Sequence, residues 1–216
     1  VQTCALPISL RFLCVAILLL PFVPRPSKNQ LGAITLIGLL NALHFSLPYF
    51  GMSMGLNIAT TAITAQLGIP FSCLLAAFVM NDKLGPWRSA GMIISFLGMM
   101  VVFGAPHVSA HEAAFFAVLA GAFFWGTGNV LLKRIKGVAM FQMLAWMALF
   151  TIPPVFAMSL VFEPHALESL QHIPASALLG LAYTVLLSTV VAHSWWYFLL
   201  QTYPITQVAP YSLMTP

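Results

Sequence analysis

Charge is what this sequence has least of. Only 6% of its 216 residues are Asp, Glu, Lys or Arg, against roughly a quarter in a soluble domain. That is too little charge to cover a water-facing surface, so a soluble globular domain is excluded and lipid is the solvent for most of the exterior. Cysteine is scarce too. Cys4, Cys14 and Cys73 show no paired spacing, which argues against a disulfide framework and against a metal cluster. Asp and Glu number four in all, and none falls within an apolar run, so the helices present offer no carboxylate for proton transfer. No Gly-rich phosphate loop, nucleophile elbow or zinc-protease motif occurs. No cofactor, no metal and no catalytic residue is therefore expected. The net charge of +4 does not indicate nucleic acid in so apolar a chain, because short cytoplasmic loops ordinarily hold such residues.

What is there is hydrophobic: 61% of the residues, with a mean hydropathy of +0.97. Apolar runs of membrane-spanning length, bounded by loops rich in charge, Pro, Asn or Gly, predict helices over 8–23, 31–56, 58–80, 89–104, 113–132, 138–162 and 175–201, with another opening at 206–216. The fold class expected is all-α, a polytopic membrane protein. The run Val1–Ile8 resembles the translation of a sequencing-library adapter and is set aside from fold reasoning. The chain stops at Pro216 inside what reads as a helix, so a fragment unable to transport alone is expected.

Loop charges test this parse. Arg25 and Lys28, Lys83 and Arg88, and Lys133, Arg134 and Lys136 make seven of the eight basic residues, all in alternate loops. The intervening loops have no Lys or Arg and hold Glu112, Glu163 and Glu168. This is positive-inside segregation, and it places loops 24–30, 81–88 and 133–137 in the cytoplasm. Residues 54–70 also align with 200–216: each leaves a helix, crosses a short polar link and enters a helix reaching a proline, with Leu67 on Leu213 and Ala62 on Val208. The run 31–56 then falls on 175–201, five helices later and oppositely oriented. An odd-numbered repeat of this kind has inverted topology, a transporter architecture.

Several segments together resemble EamA-type carriers of the drug/metabolite transporter superfamily, nearest to the amino-acid metabolite exporters. Ala65-Gln66-Leu67-Gly68-Ile69-Pro70, Asn81-Asp82-Lys83-Leu84 and Gly91 with Gly98 resemble the fourth and fifth helices of that family. Phe123-Phe124-Trp125-Gly126-Thr127-Gly128-Asn129 resembles the sixth, and Val208-Ala209-Pro210-Tyr211-Ser212-Leu213 the start of the ninth. The resemblance implies a ten-helix bundle of two inverted five-helix repeats. Residues 9–104 would be the first repeat lacking its first helix, and 113–216 the second, cut within its fourth. It implies a secondary transporter in the cell membrane, a bacterial inner membrane, exporting amino acids or related small metabolites. A carrier of another solute class, such as a drug-like amine or a sugar derivative, is the alternative; an intramembrane enzyme lacks its acids. The partners expected are a small-molecule substrate and the lipid bilayer, with no nucleic acid, and a homodimer stays open.

A carrier needs polar groups that face a cavity, since lipid-facing ones are costly. Trp125 and Asn129 are four apart on one helical face. Gln66 precedes Pro70, which frees a backbone carbonyl. His193, Trp196 and Tyr197 share a face. The candidate substrate-binding residues are Gln66, Trp125, Asn129, His193 and Trp196. Asn129 has the rival role of interhelical hydrogen-bond glue, and His193 that of a neutral ring bonded to a carbonyl. Arg11 is expected to snorkel to the interface. Gln142 and Trp146 are weaker cavity candidates, and Gly51 with Gly55 forms a GxxxG read as tight packing.

Overall fold

A computed structural model of the chain describes residues 5–162 and 174–214. All regular structure among these residues is helical. Helix α1 spans Ala5–Leu19 and runs into a 3₁₀ turn, Leu20–Phe22. Helix α2 is Lys28–Ser53, α3 Ile58–Ala65, α4 Gly68–Met80, α5 Pro86–Phe103, α6 the short Pro106–Ser109, α7 Glu112–Arg134 and α8 Met140–Phe162. Helix α9, Ala175–Tyr183, continues through a π-helical stretch, Thr184–His193, into α10, Ser194–Thr202. Helix α11, Ile205–Val208, ends in 3₁₀ turns over Ala209–Met214.

Six of the resulting spans are long and apolar enough to cross a membrane: Lys28–Ser53, Ile58–Met80, Pro86–Phe103, Glu112–Arg134, Met140–Phe162 and Ala175–Thr202. At 1.5 Å per residue, the 23 residues of α7 reach about 34 Å, enough for the hydrocarbon core. These bounds follow the predicted runs closely because the loops between them carry explicit stop and start chemistry. Ser27 accepts from the backbone N–H of Gln30, whose side chain accepts from the Ser27 N–H in return, a capping box that starts α2. Asn57 caps α3 by accepting from the Thr60 N–H at 2.7 Å. Asn81 ends α4 in the left-handed region at φ 54°. The longest predicted loop, with Glu163 and Glu168, lies outside the described residues.

The bundle is built on α7, which packs against α2 on one side and α4 on the other, and on α8, which packs against α1 and α2. Small residues allow this. A Cβ on Gly126 would stand 2.9 Å from the Ser72 backbone nitrogen, so α7 and α4 meet backbone to backbone. The GxxxG pair is less symmetrical than its spacing implies. Gly51 abuts Val118 of α7, but Gly55 lies beyond the end of α2 at φ +102°, against His111. Helix α5 contributes a single buried residue, Met99, and exposes Ile93, Ile94, Leu97, Met100 and Val101. A face of that chemistry suits lipid.

The alternate basic loops gather at one end of the bundle. Gln30 Nε2 donates to the Lys136 carbonyl at 3.0 Å, and Arg134 Nη2 to the Val79 carbonyl at 3.3 Å. Lys133 Nζ donates to the carbonyls of Leu200 and Tyr203. Asp82 Oδ2 accepts from the Ile205 N–H at 3.1 Å. Gln142 Nε2 and Trp146 Nε1 both donate to the Pro24 carbonyl, at 2.9 and 3.3 Å. These two side chains therefore clip α8 to the loop before α2 and do not reach the cavity described below. Their shared face was legible in the sequence; the direction of that face was not.

Candidate functional site

The π-helical stretch is the local feature that shapes the site. Within it, Thr189 Oγ1 donates to the Thr184 carbonyl at 2.7 Å, and His193 Nδ1 donates to the Ser188 carbonyl at 2.7 Å. Both pairs are five residues apart, the spacing of π rather than α winding. A carbonyl only accepts, so Nδ1 of His193 holds the proton in this contact and Nε2 is left to accept. The stretch gives way to regular α-helix at Ser194, so His193, Trp196 and Tyr197 emerge on one face toward α7 and α2.

That face meets α7 around Asn129. The Asn129 Nδ2 donates to Ser72 Oγ of α4 at 3.1 Å, and its Oδ1 accepts from Trp196 Nε1 of α10 at 3.3 Å. Asn129 is 5% exposed, and one amide so ties three helices. One turn away, Trp125 stacks on Trp196, with ring centroids 5.7 Å apart and planes at 22°, an offset arrangement aromatic pairs favour. Gly68 makes room for Trp125, since a Cβ there would lie 2.7 Å from the indole. His44 of α2 flanks Trp125 at 6.1 Å between centroids and donates from Nδ1 to the Gly121 carbonyl at 3.2 Å.

These groups enclose a cavity of about 310 Å³. Trp125, Asn129, His193 and Trp196 line it, together with Asn41, Phe45 and Tyr197. Trp125 stands nine residues before Arg134, about 14 Å from the basic end of α7, close to the middle of the span. The lining is mostly aromatic and aliphatic with a few convergent amides, an imidazole and a phenol, the usual makeup of a small-molecule site.

Four of the five sequence candidates thus come together, and Gln66 does not. It is the C-cap of α3, where the helix breaks before α4. Its side chain is exposed and borders a separate cavity of about 330 Å³ against α5, with Ser95, Gly98 and Met99. At Gln66–Leu67 both residues keep right-handed dihedrals, but Leu67 and Ile69 bond three residues back, so regular α winding is interrupted and Gln66 faces α5. The hydroxyls of α3 bond backward: Thr64 Oγ1 donates to the Thr60 carbonyl and Thr61 Oγ1 to that of Asn57. Phe45 and Tyr197 joined the wall without being singled out as site residues. Tyr197 carried a signal, its spacing from His193; Phe45 carried none, being one of 17 phenylalanines.

The model of the EamA-like transporter family matches residues 113–216. A probable amino-acid metabolite efflux pump of Escherichia coli is 30% identical over 96% of this chain and 72% of its own length. The protein of the same description from Salmonella typhimurium is 31% identical over the same shares. An S-adenosylmethionine uptake transporter of Rickettsia prowazekii is 30% identical over 65% of this chain and 49% of its own. No solved structure matches. With relatives this similar along nearly its whole length, the chain belongs to the EamA-like transporter family and is a multi-pass secondary membrane transporter of small metabolites.

Proposed function

We propose that this transporter exports amino acids or related small metabolites by alternating access, and that the substrate sits in the cavity between α2, α7 and α10. The observation that carries the reading is the cavity's make-up at mid-membrane depth: the stacked Trp125 and Trp196, with Asn129, Asn41 and His193 beside them. An aromatic wall takes an apolar side chain, and amides and imidazole take an ammonium or carboxylate. Its volume of about 310 Å³ suits a solute of amino-acid size. The names of the Escherichia coli and Salmonella typhimurium relatives point the same way. The relative named for S-adenosylmethionine uptake favours a second reading, a carrier of another solute class.

Supporting the inverted-repeat reading, α1 and α8, which occupy equivalent places in the two halves of residues 9–104 and 113–216, pack directly on each other. A pseudo-symmetric pair meeting at the centre is what rocking of one repeat against the other requires. The basic end of the bundle, with loops 24–30, 81–88 and 133–137, faces the cytoplasm in this reading. As its relatives are transporters, the chain is read as a carrier and not as an intramembrane enzyme. The test is flux of a panel of amino acids in vesicles containing the purified full-length transporter. Flux that saturates with substrate, and that falls when Trp125→Ala removes the stacked wall, is expected. Absence of amino-acid flux while another solute class moves would transfer the assignment to the second reading.

A further inference from the structure

Arg11 does not snorkel. Helix α1 places it six residues beyond Ala5 and eleven before Phe22, about 16 Å from the basic end and near the depth of Trp125. Its guanidinium packs against two adjacent rings, 4.6 Å from the centroid of Phe12 and 4.7 Å from that of Phe45, whose own centroids are 5.4 Å apart. Its Nε and Nη2 are buried and have no hydrogen-bond partner. Lys133 and Arg134, by contrast, spend N–H groups on carbonyls at helix ends. A guanidinium is always charged and offers only donors. Cation–π contact offsets part of its burial, but a ring face does not replace an in-plane acceptor, and a buried donor left unbonded is costly.

The place of Arg11 relative to the cavity gives this cost a purpose. Arg11 does not itself line the cavity, but Phe45, which lies against the guanidinium, does, and so do His193 and Tyr197. Tyr49, Tyr197, His44 and His193 are among the groups near Arg11. No carboxylate of the described residues pairs with its Nε or Nη2. These two nitrogens form the side-on edge of the guanidinium, the edge that matches the two oxygens of a carboxylate in a bidentate pair.

We propose that Arg11 is the anion-recognising residue of the transport site: with Phe45 turned aside, its Nε and Nη2 hold the carboxylate of the solute while the stacked Trp125 and Trp196 hold the remainder. This rests on the reading of the central cavity as the transport site and adds a substrate class to it, small metabolites with a free carboxylate. Phe45 is then the shutter of the subsite, lying on the cation when no anion is present.

The experiment compares initial transport rates of free amino acids with those of the same amino acids as amides, in vesicles containing the full-length transporter as wild type, Arg11→Gln or Arg11→Lys. A charge-assisted bidentate pair corresponds to about ten- to a hundredfold in affinity. Wild type is expected to favour the free acids by that factor, Arg11→Gln to bring the ratio near one, and Arg11→Lys, which keeps the charge but not the fork, to fall between. A wild-type ratio near one, or a ratio unchanged in Arg11→Gln, overturns the inference while leaving amino-acid transport intact. Should Arg11→Gln fail to reach the membrane, Arg11→Lys and the wild-type ratio decide. Should wild type move no amino acid, the export reading fails by itself. Thermal unfolding in detergent then judges Arg11: stabilisation by benzoate that is weaker in Arg11→Lys upholds the subsite, and no stabilisation, or the same stabilisation in Arg11→Lys, overturns it.

Discussion

Replacing Asn129 by alanine tests whether one amide holds three helices together. The change removes the bond to Ser72 Oγ and the bond from Trp196 Nε1. Interhelical side-chain hydrogen bonds in membranes are worth about 0.6 kcal/mol each on average. The two partners are affected unequally. Ser72 keeps its own bond to the Gly68 carbonyl at 2.8 Å, so it is not stranded. The indole N–H of Trp196, on a half-buried side chain at the cavity wall, has no such second partner described, and leaving it unpaired costs about 1 kcal/mol, the low end of the range for a buried donor. The total is about 2 kcal/mol. Trp196→Phe removes the same bond from the other side but strands only one lone pair of an amide oxygen, so it should cost about 1 kcal/mol or less. Thermal unfolding in detergent should therefore rank Asn129→Ala well below Trp196→Phe and wild type. Near-ultraviolet circular dichroism should also lose intensity in Asn129→Ala, because the stacked pair of Trp125 and Trp196 is no longer pinned. Equal unfolding temperatures in the two variants, or an unchanged aromatic spectrum in Asn129→Ala, would refute the reasoning and return Asn129 to a role in substrate contact alone.

Gly126→Ala and Gly128→Ala should separate packing from transport: the first places a Cβ 2.9 Å from the Ser72 nitrogen and should destabilise by about 1–3 kcal/mol. Gly128 has open space and borders the cavity, so Gly128→Ala should unfold like wild type and slow the flux of bulkier solutes. Asp82→Ala should speed amide hydrogen exchange at Ile205 by about ten- to a hundredfold, the worth of a charge-assisted bond, while Asp82→Asn, which keeps an acceptor oxygen, changes it little. Single cysteines at Lys28, Lys83 and Lys136 should resist an impermeant thiol reagent added outside, and cysteines at His111 and Glu168 should react; labelling of Lys83 but not Glu168 would reverse the orientation.

Much of the fold was legible because hydropathy adds along a chain. A run of apolar residues between Asn57 and Asn81 is a span whatever it packs against, and its bounds agree with Ile58–Met80. The face a residue presents is harder. Trp125 and Asn129 sit on one unbroken helix, α7, so their i, i+4 spacing held good and both reach the cavity. Gln66 sits where α3 stops and α4 begins, and the period on which its placement relied ends there. Gln142 and Trp146 do share a face, but the partner of that face is the Pro24 carbonyl more than a hundred residues away. Arg11 was assigned to the interface from its apparent nearness to a helix end, and only the packing of Phe12 and Phe45 shows it retained inside. Nothing in Thr184–His193 announces π winding, since the segment's composition is that of any apolar helix.

That wound stretch also bears on how the length of this chain can vary. In an ordinary helix such as α7, deleting one residue turns everything beyond it by about 100°, which would swing Asn129 away from Ser72. A π segment already holds a surplus residue against the surrounding α-helix. Deleting one residue between Thr184 and His193 lets the stretch relax to α winding, and the flanking helices keep their facing. The gene can therefore lose a codon there while Trp196 continues to point at Asn129, whereas the same loss in the middle of α7 would dismantle the cavity.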